Sequence, residues 1–223
     1  MAGDFLLHGE FAVFITLTMS KRIPPINLYA AQMREIKRRT QVIDHFLYKG
    51  GHALFPPTTT ETICLQFRKI LELIAFSSLI ANKAKYSEIH STFASHWNAE
   101  LLLKDLSRVN PDFYPKPIDE KPSNVPGVQT EWIDVTDGYL TKDDFTHIYK
   151  KCGGMLHASN PYGSRVGHHY FEKSFPEWRR KLIRLLNCHQ VHLVGEPDIW
   201  LIHMQEDGDD EVHFYTFGLV ENG

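Results

Sequence analysis

Between Pro56 and Ala81 the apolar residues cover more than one side of a helix, and this run constrains the fold more than any other stretch. Ile63, Phe67, Ile70, Ile74 and Ala81 fall at three- and four-residue spacing and make one stripe. Leu65, Leu71, Leu73 and Leu79 widen it. A helix apolar over so wide an arc needs neighbours on several sides, so it belongs at the centre of a bundle. Pro56-Pro57 followed by Thr58-x-x-Glu61 marks its start as a capping box, in which each side chain satisfies an orphan backbone amide.

The neighbours can be read on either side. Residues 11 to 19 are β-branched and aromatic and predict a buried strand, which Lys21 to Pro25 break. From Ile26, apolar residues at 26, 29, 33, 36, 43 and 47 predict a helix that Gly50-Gly51 ends. A third helix runs from about Tyr86 to Val109, with Phe93, Trp97, Leu101 and Leu106 inward and Asn110-Pro111 as its stop. Five prolines between Pro111 and Pro126 then exclude a helix interior. Only Glu131 to Val135 of that segment reads as strand, and the rest is a packed loop or an insertion.

Thr141-x-x-Asp144 caps a fourth helix that turns Phe145, Ile148, Tyr149 and Cys152 inward, and Asn160-Pro161 is a turn signal. A fifth runs from near Phe175 to Asn187 with Trp178, Leu182 and Leu185 inward. The tail reads as strands at 191–194, 199–205 and 212–220, the last two joined at Asp207-Gly208. The fold class is therefore α+β, mainly α: a bundle of about five helices with a small C-terminal antiparallel sheet. In outline, a strand-like segment covers 1–25, the bundle covers 26–190 with its Pro-rich insertion at 111–139, and a β hairpin element covers 191–223.

Composition fits this outline and excludes several classes. With 223 residues, 43% hydrophobic and 23% charged, the chain suits one domain and is neither disordered nor fibrous. A net charge of −3 gives no global sign of a nucleic-acid or membrane partner. The apolar N-terminal run is interrupted and has its basic residues, Lys21 and Arg22, after it rather than before, so no secretory leader and no membrane span is expected. Cys64, Cys152 and Cys188 lack C-x-x-C spacing and fit a reducing cytoplasm.

Charge is unevenly placed. Arg34, Lys37 and Arg38 share a helix face away from the apolar stripe, and Arg179, Arg180, Lys181 and Arg184 form a second cluster. Arg34, Lys37, Arg38, Arg180 and Arg184 are the candidate phosphate contacts; the alternative is the solvated side of two amphipathic helices. Residues 195–223 hold eight acidic side chains and no Lys or Arg, and could neutralise a basic patch within a dimer.

The thirteen histidines show no metal-ligand spacing. His168 and His169 are adjacent, and His203 and His213 approach across the hairpin without a carboxylate or thiol at familiar spacing. No metal and no cofactor is expected, since the phosphate-cradling glycine loops and the nucleophile elbow are also missing. Ser164 with His168 is the only support for an unrelated hydrolase.

Gln66-Phe67-Arg68-Lys69-Ile70-Leu71-Glu72 in the second helix and Tyr149-Lys150-Lys151-Cys152-Gly153-Gly154-Met155-Leu156-His157 at the end of the fourth together resemble the HEPN-like helical bundles of prokaryotic proteins. The likeness spans about residues 26 to 190. It implies either a metal-independent ribonuclease, often a toxin or defence effector, or a non-catalytic module that binds RNA or a protein partner; for this chain the expectation is action as a homo-oligomer, such as a dimer, or with a protein partner. In the family's Arg-to-His signature the Arg holds the scissile phosphate and the His moves the 2′-hydroxyl proton. Here Lys150 or Lys151 stands in the Arg position before His157, so these three are the candidate catalytic residues. Arg38 or Arg39 with His45, and Arg184 with His189, share the spacing. The expected function is a HEPN-like module acting on or binding RNA; the alternative is a non-catalytic interaction or scaffold protein.

Overall fold

Pro24 and Pro25 open the first helix, as residues whose missing N–H groups are orphans at a helix start. The computed structural model of the chain describes residues 24–83, 99–126, 129–158, 162, 167–206 and 208–218. The strand expected over 11–19, the part of the third helix before Ala99, Asn160-Pro161, Ser164 and Asp207 lie outside them. Helix α1 (Pro25–Tyr48) buries Tyr29, Met33, Ile36 and Ile43, the expected stripe, and stops short of Gly50-Gly51.

Helix α2 (Pro56–Ala81) is central, packing against each of the other four described helices. Ile63, Phe67, Ile70, Leu71 and Ile74 are all buried. Two local expectations are corrected. Leu65 is exposed, because it lies about 200° around the helix from Ile63. The capping box does not form: Phe55 is the N-cap, and the Thr58 hydroxyl donates to the carbonyls of Ala53 and Phe55. Pro56 and Pro57 fill the first helical positions and have no N–H groups to cap, which places Thr58 inside the first turn.

Helix α3 (Ala99–Val109) buries Ala99, Leu102, Leu103 and Leu106, whereas Leu101, expected inward, is 56% exposed off that stripe. Helix α4 (Lys142–Met155) begins with the expected capping box. The Thr141 hydroxyl accepts from the Asp144 backbone N–H at 3.1 Å, and Asp144 accepts from the Thr141 backbone at 3.1 Å. Helix α5 (His168–Leu186) starts seven residues before Phe175 and carries Pro176 in its interior. An interior proline costs roughly 3 kcal/mol. Burial of Phe171 and Phe175, each about 1.5–3 kcal/mol, offsets it. Phe175 stacks on Phe67 of α2 at 5.8 Å, with Trp178 edge-on to both.

The sheet is larger than the tail alone supplies. Strands β1 (Lys116–Pro122), β2 (Thr130–Asp134), β3 (Cys188–His192), β4 (Ile199–His203) and β5 (His213–Phe217) form one antiparallel sheet in the order β2-β1-β3-β4-β5. The proline-bearing segment expected to be irregular up to Glu131 thus contributes β1 as well as β2. Its prolines are placed where a strand tolerates them. Pro122 is the last residue of β1, and Pro117 takes part through its carbonyl, which accepts from the Val135 N–H at 3.2 Å. At the other end, Glu206 bridges to Asp209 around Gly208 (φ +98°), so the chain turns where Asp-Gly was expected to turn it.

Alternation along the strands gives the sheet two different faces. His189, Val191, Trp200 and Ile202 are buried on one face, and the last three join the helices in one continuous core. The Tyr29 ring of α1 meets Trp200 edge-on at 6.0 Å and donates its hydroxyl to His189 Nε2 at 2.9 Å. The fold is α+β and mainly α, and no described helix is long and apolar enough to cross a membrane.

Candidate functional site: a cleft on the open face of the sheet

The opposite face of the sheet holds a cleft of about 960 Å³. Its walls alternate with the core positions: Leu201 and His203 on β4, Tyr215 and Phe217 on β5, Trp132 on β2 and Glu120 on β1. Register explains the convergence. Leu201 lies opposite Tyr215, Glu120 opposite Trp132 and Cys188 opposite His203, and directly opposed residues of antiparallel strands share a face. Trp132 meets Phe217 edge-on at 5.0 Å across the cleft.

His203 is the centre of the polar groups. Its Nδ1 lies 2.9 Å from Glu206, a carboxylate that accepts, so Nδ1 carries the proton. The Tyr215 hydroxyl donates to the same Glu206 oxygen at 2.6 Å. That hydrogen bond, with the one from His203, holds the Glu206 carboxyl below its usual range. The same bond pushes the Tyr215 phenol up. His203 Nε2 is buried and makes no hydrogen bond, although Glu120 comes within 3.3 Å. Cys188 completes the group: a Glu120 oxygen, the Cys188 sulfur and a His203 nitrogen lie within 4.8 Å of one another. Burial and the nearby Glu120 and Asp119 carboxylates push the Cys188 thiol up to about 12.

None of these residues was singled out together from the sequence, which pointed to no metal site. The reason is local. The strand containing Cys188 was expected only from Val191, and Glu120 lay in the segment read as irregular. A strand begun three residues earlier would have set Cys188 against His203.

Each of the residues singled out as catalytic has its own surroundings. His157 is exposed two residues past the end of α4, where Leu156 closes the helix through its own N–H. Lys150 forms a 2.9 Å ion pair with Glu100 of α3, and Lys151 lies 5.3 Å over the Tyr170 ring of α5. The two segments that carry the HEPN resemblance do meet, through different side chains. Arg68 sits 4.0 Å over the Tyr149 ring, donates to its hydroxyl at 2.6 Å and pairs with Glu72. Gly153 leaves room for it, since a Cβ there would come within 2.8 Å of the guanidinium.

The basic clusters are largely neutralised within the chain. Lys37 pairs with Asp210 of the acidic tail at 2.6 Å and donates to the Met204 carbonyl. Arg184 grips Asp119 through two 2.7 Å bonds, and Arg180 grips Glu177. Arg34 and Arg38 have no carboxylate partner among the described residues, and Arg38 is exposed. His168, the histidine of the hydrolase alternative, bonds to the Thr60 hydroxyl at 3.2 Å.

Comparison with protein-family models, with curated proteins and with solved structures finds no significant match.

Proposed function

We propose that the protein acts through the sheet-face cleft, taking a neutral or cationic small molecule with a planar or apolar part and using His203 as its acid–base group. The observation that carries this reading is the buried, unbonded Nε2 of His203 at a cleft wall, with its tautomer fixed by Glu206. An imidazole held through Nδ1 presents Nε2 as a base. The volume suits a small organic ligand. Glu120 and Glu206 line the cleft without any Lys or Arg, which disfavours phosphates and other anions. Trp132, Tyr215 and Phe217 supply faces for a ring or a cation.

Titration with a panel of neutral, cationic and anionic aromatic heterocycles, followed by tryptophan fluorescence, tests this. Neutral or cationic members should quench, the signal should disappear in Trp132→Phe, and Glu120→Gln should weaken cationic binders most. Preference for the anionic members would overturn the reading.

An RNA-binding role as a HEPN-like module is the second reading, and Arg34 and Arg38 on α1, without a carboxylate partner among the described residues, favour it. Binding through them should weaken steeply with salt, by a log–log slope that falls by about 1 or 2 in Arg34→Ala/Arg38→Ala. A salt-independent interaction would instead suit the protein-docking alternative.

A further inference from the structure

We propose that Glu120, Cys188 and His203 form a binding site for a divalent transition-metal ion of the zinc class, with Glu206 as the group that orients His203. The site deepens the cleft reading and rests on it for its open side, since Glu120 and His203 line the cleft; with the ion bound, His203 Nε2 is a ligand and a metal-bound water would take over the acid–base role.

Three strands deliver three different donors to one point. Cys188 on β3 is directly opposite His203 on β4, and Glu120 reaches them from β1, the neighbour of β3 on its other side. With Nδ1–H committed to Glu206, a neutral His203 points a bare lone pair at the space shared with a carboxylate and a sulfur. Glu120 stands 3.3 Å from Nε2 without making an aligned hydrogen bond to it. A cation between the three donors would displace the Cys188 thiol proton and satisfy all three groups together.

The dimensions agree. For Zn–N near 2.0 Å, Zn–O near 2.1 Å and Zn–S near 2.3 Å, tetrahedral ligand atoms stand about 3.3–3.6 Å apart. The imidazole nitrogen and the carboxylate already stand 3.3 Å apart, and the widest separation in the group is within 4.8 Å. The sulfur therefore needs only a small inward movement. A thiolate and an imidazole select zinc-class ions over magnesium or calcium. The Glu206–His203 contact is the carboxylate–imidazole support that metal-bound histidines use. Three protein ligands leave a fourth position for water or a ligand in the cleft.

The experiment is anaerobic titration of the full chain, stripped by chelator and dialysis, with Co²⁺ and then competing Zn²⁺. A near-ultraviolet thiolate-to-cobalt band with strong visible tetrahedral bands is expected, and Zn²⁺ should abolish both. Cys188→Ser should lose the thiolate band; Glu206→Gln should keep it with affinity lowered about 10–100-fold. Zn²⁺ should also protect Cys188 from a thiol reagent in the wild-type protein, a readout that needs no variant to fold. A wild-type protein that shows no band and no protection, or a band that persists in folded Cys188→Ser, overturns the proposal. The heterocycle panel, run on stripped and on zinc-loaded protein, separates the two readings. Quenching without a cobalt band removes the metal alone, and a cobalt band without quenching under either condition removes the organic ligand alone.

Discussion

The Tyr29 hydroxyl of α1 donates to Nε2 of His189 on β3 at 2.9 Å, while His189 Nδ1 donates to the Leu186 carbonyl at 2.8 Å. This fully buried imidazole is neutral, with its pKa pushed down to about 4 by burial. In the unfolded chain it titrates near 6.5, so between about 4 and 6.5 the unfolded state holds more protons and folding loses stability as pH falls. Unfolding by urea should show about 2 kcal/mol less stability at pH 5 than at pH 7.5 from this group. His213, whose pKa is raised by Asp209, acts in the opposite direction but is exposed. Tyr29→Phe leaves Nε2 buried without a donor and should cost about 1–3 kcal/mol at pH 7.5. A flat stability profile from pH 7.5 to 5 would contradict this account.

Adjacent glycines in α4 should respond differently to the same substitution. Gly154 faces open space, so Gly154→Ala should raise stability by about 0.5–1 kcal/mol through helix propensity. Gly153→Ala gains the same propensity but pushes Arg68 off its place on Tyr149 and should lag behind it. Thermal melts of the two variants decide it, and equal gains would show that the Arg68 contact contributes nothing.

Lys37 is a tether between α1 and the acidic tail. Lys37→Ala leaves the Met204 carbonyl without its donor and should cost about 1–2 kcal/mol. Limited proteolysis should then cut the 204–212 connection faster. Arg34→Ala/Arg38→Ala, by contrast, should change stability by less than about 0.5 kcal/mol. The two measurements tell a structural lysine from arginines that have no carboxylate partner among the described residues.

His157→Ala should leave the melting temperature unchanged, because Leu156 rather than His157 closes α4. If the protein cleaves RNA and the variant does not, the HEPN-like assignment of His157 stands. Equal cleavage by both proteins removes it.

The helices were legible because their information is local. The stripes of α1 and α2 and the Thr141–Asp144 box are spelled out within a few turns, and each was found where expected. The capping box at Thr58 failed because two prolines had already shifted the start. Helix α5 starts early because Phe171 packs on Phe175, which stacks on Phe67 of α2, a contact no local window contains. The cleft was illegible for the same reason on a larger scale. Glu120, Cys188 and His203 become neighbours only through strand order and register, and prolines hid the strand that carries Glu120.

That strand order also dictates when the cleft can exist during folding. Strands β3, β4 and β5 are consecutive and pair along local connections, and β1 and β2 make a hairpin of their own. The seam between these two units, where Pro117 pairs with His189, spans the whole of α4 and α5 and joins only at Lys116 and Pro117. Closing so long a loop for two residue pairs is the slow, non-local step. The cleft straddles that seam, with Glu120 on one unit and Cys188 and His203 on the other. Its donors are therefore expected to come together last, and a molecule bridging them would act as a clasp on the finished fold: hydrogen exchange in β1 should slow on binding more than in β4.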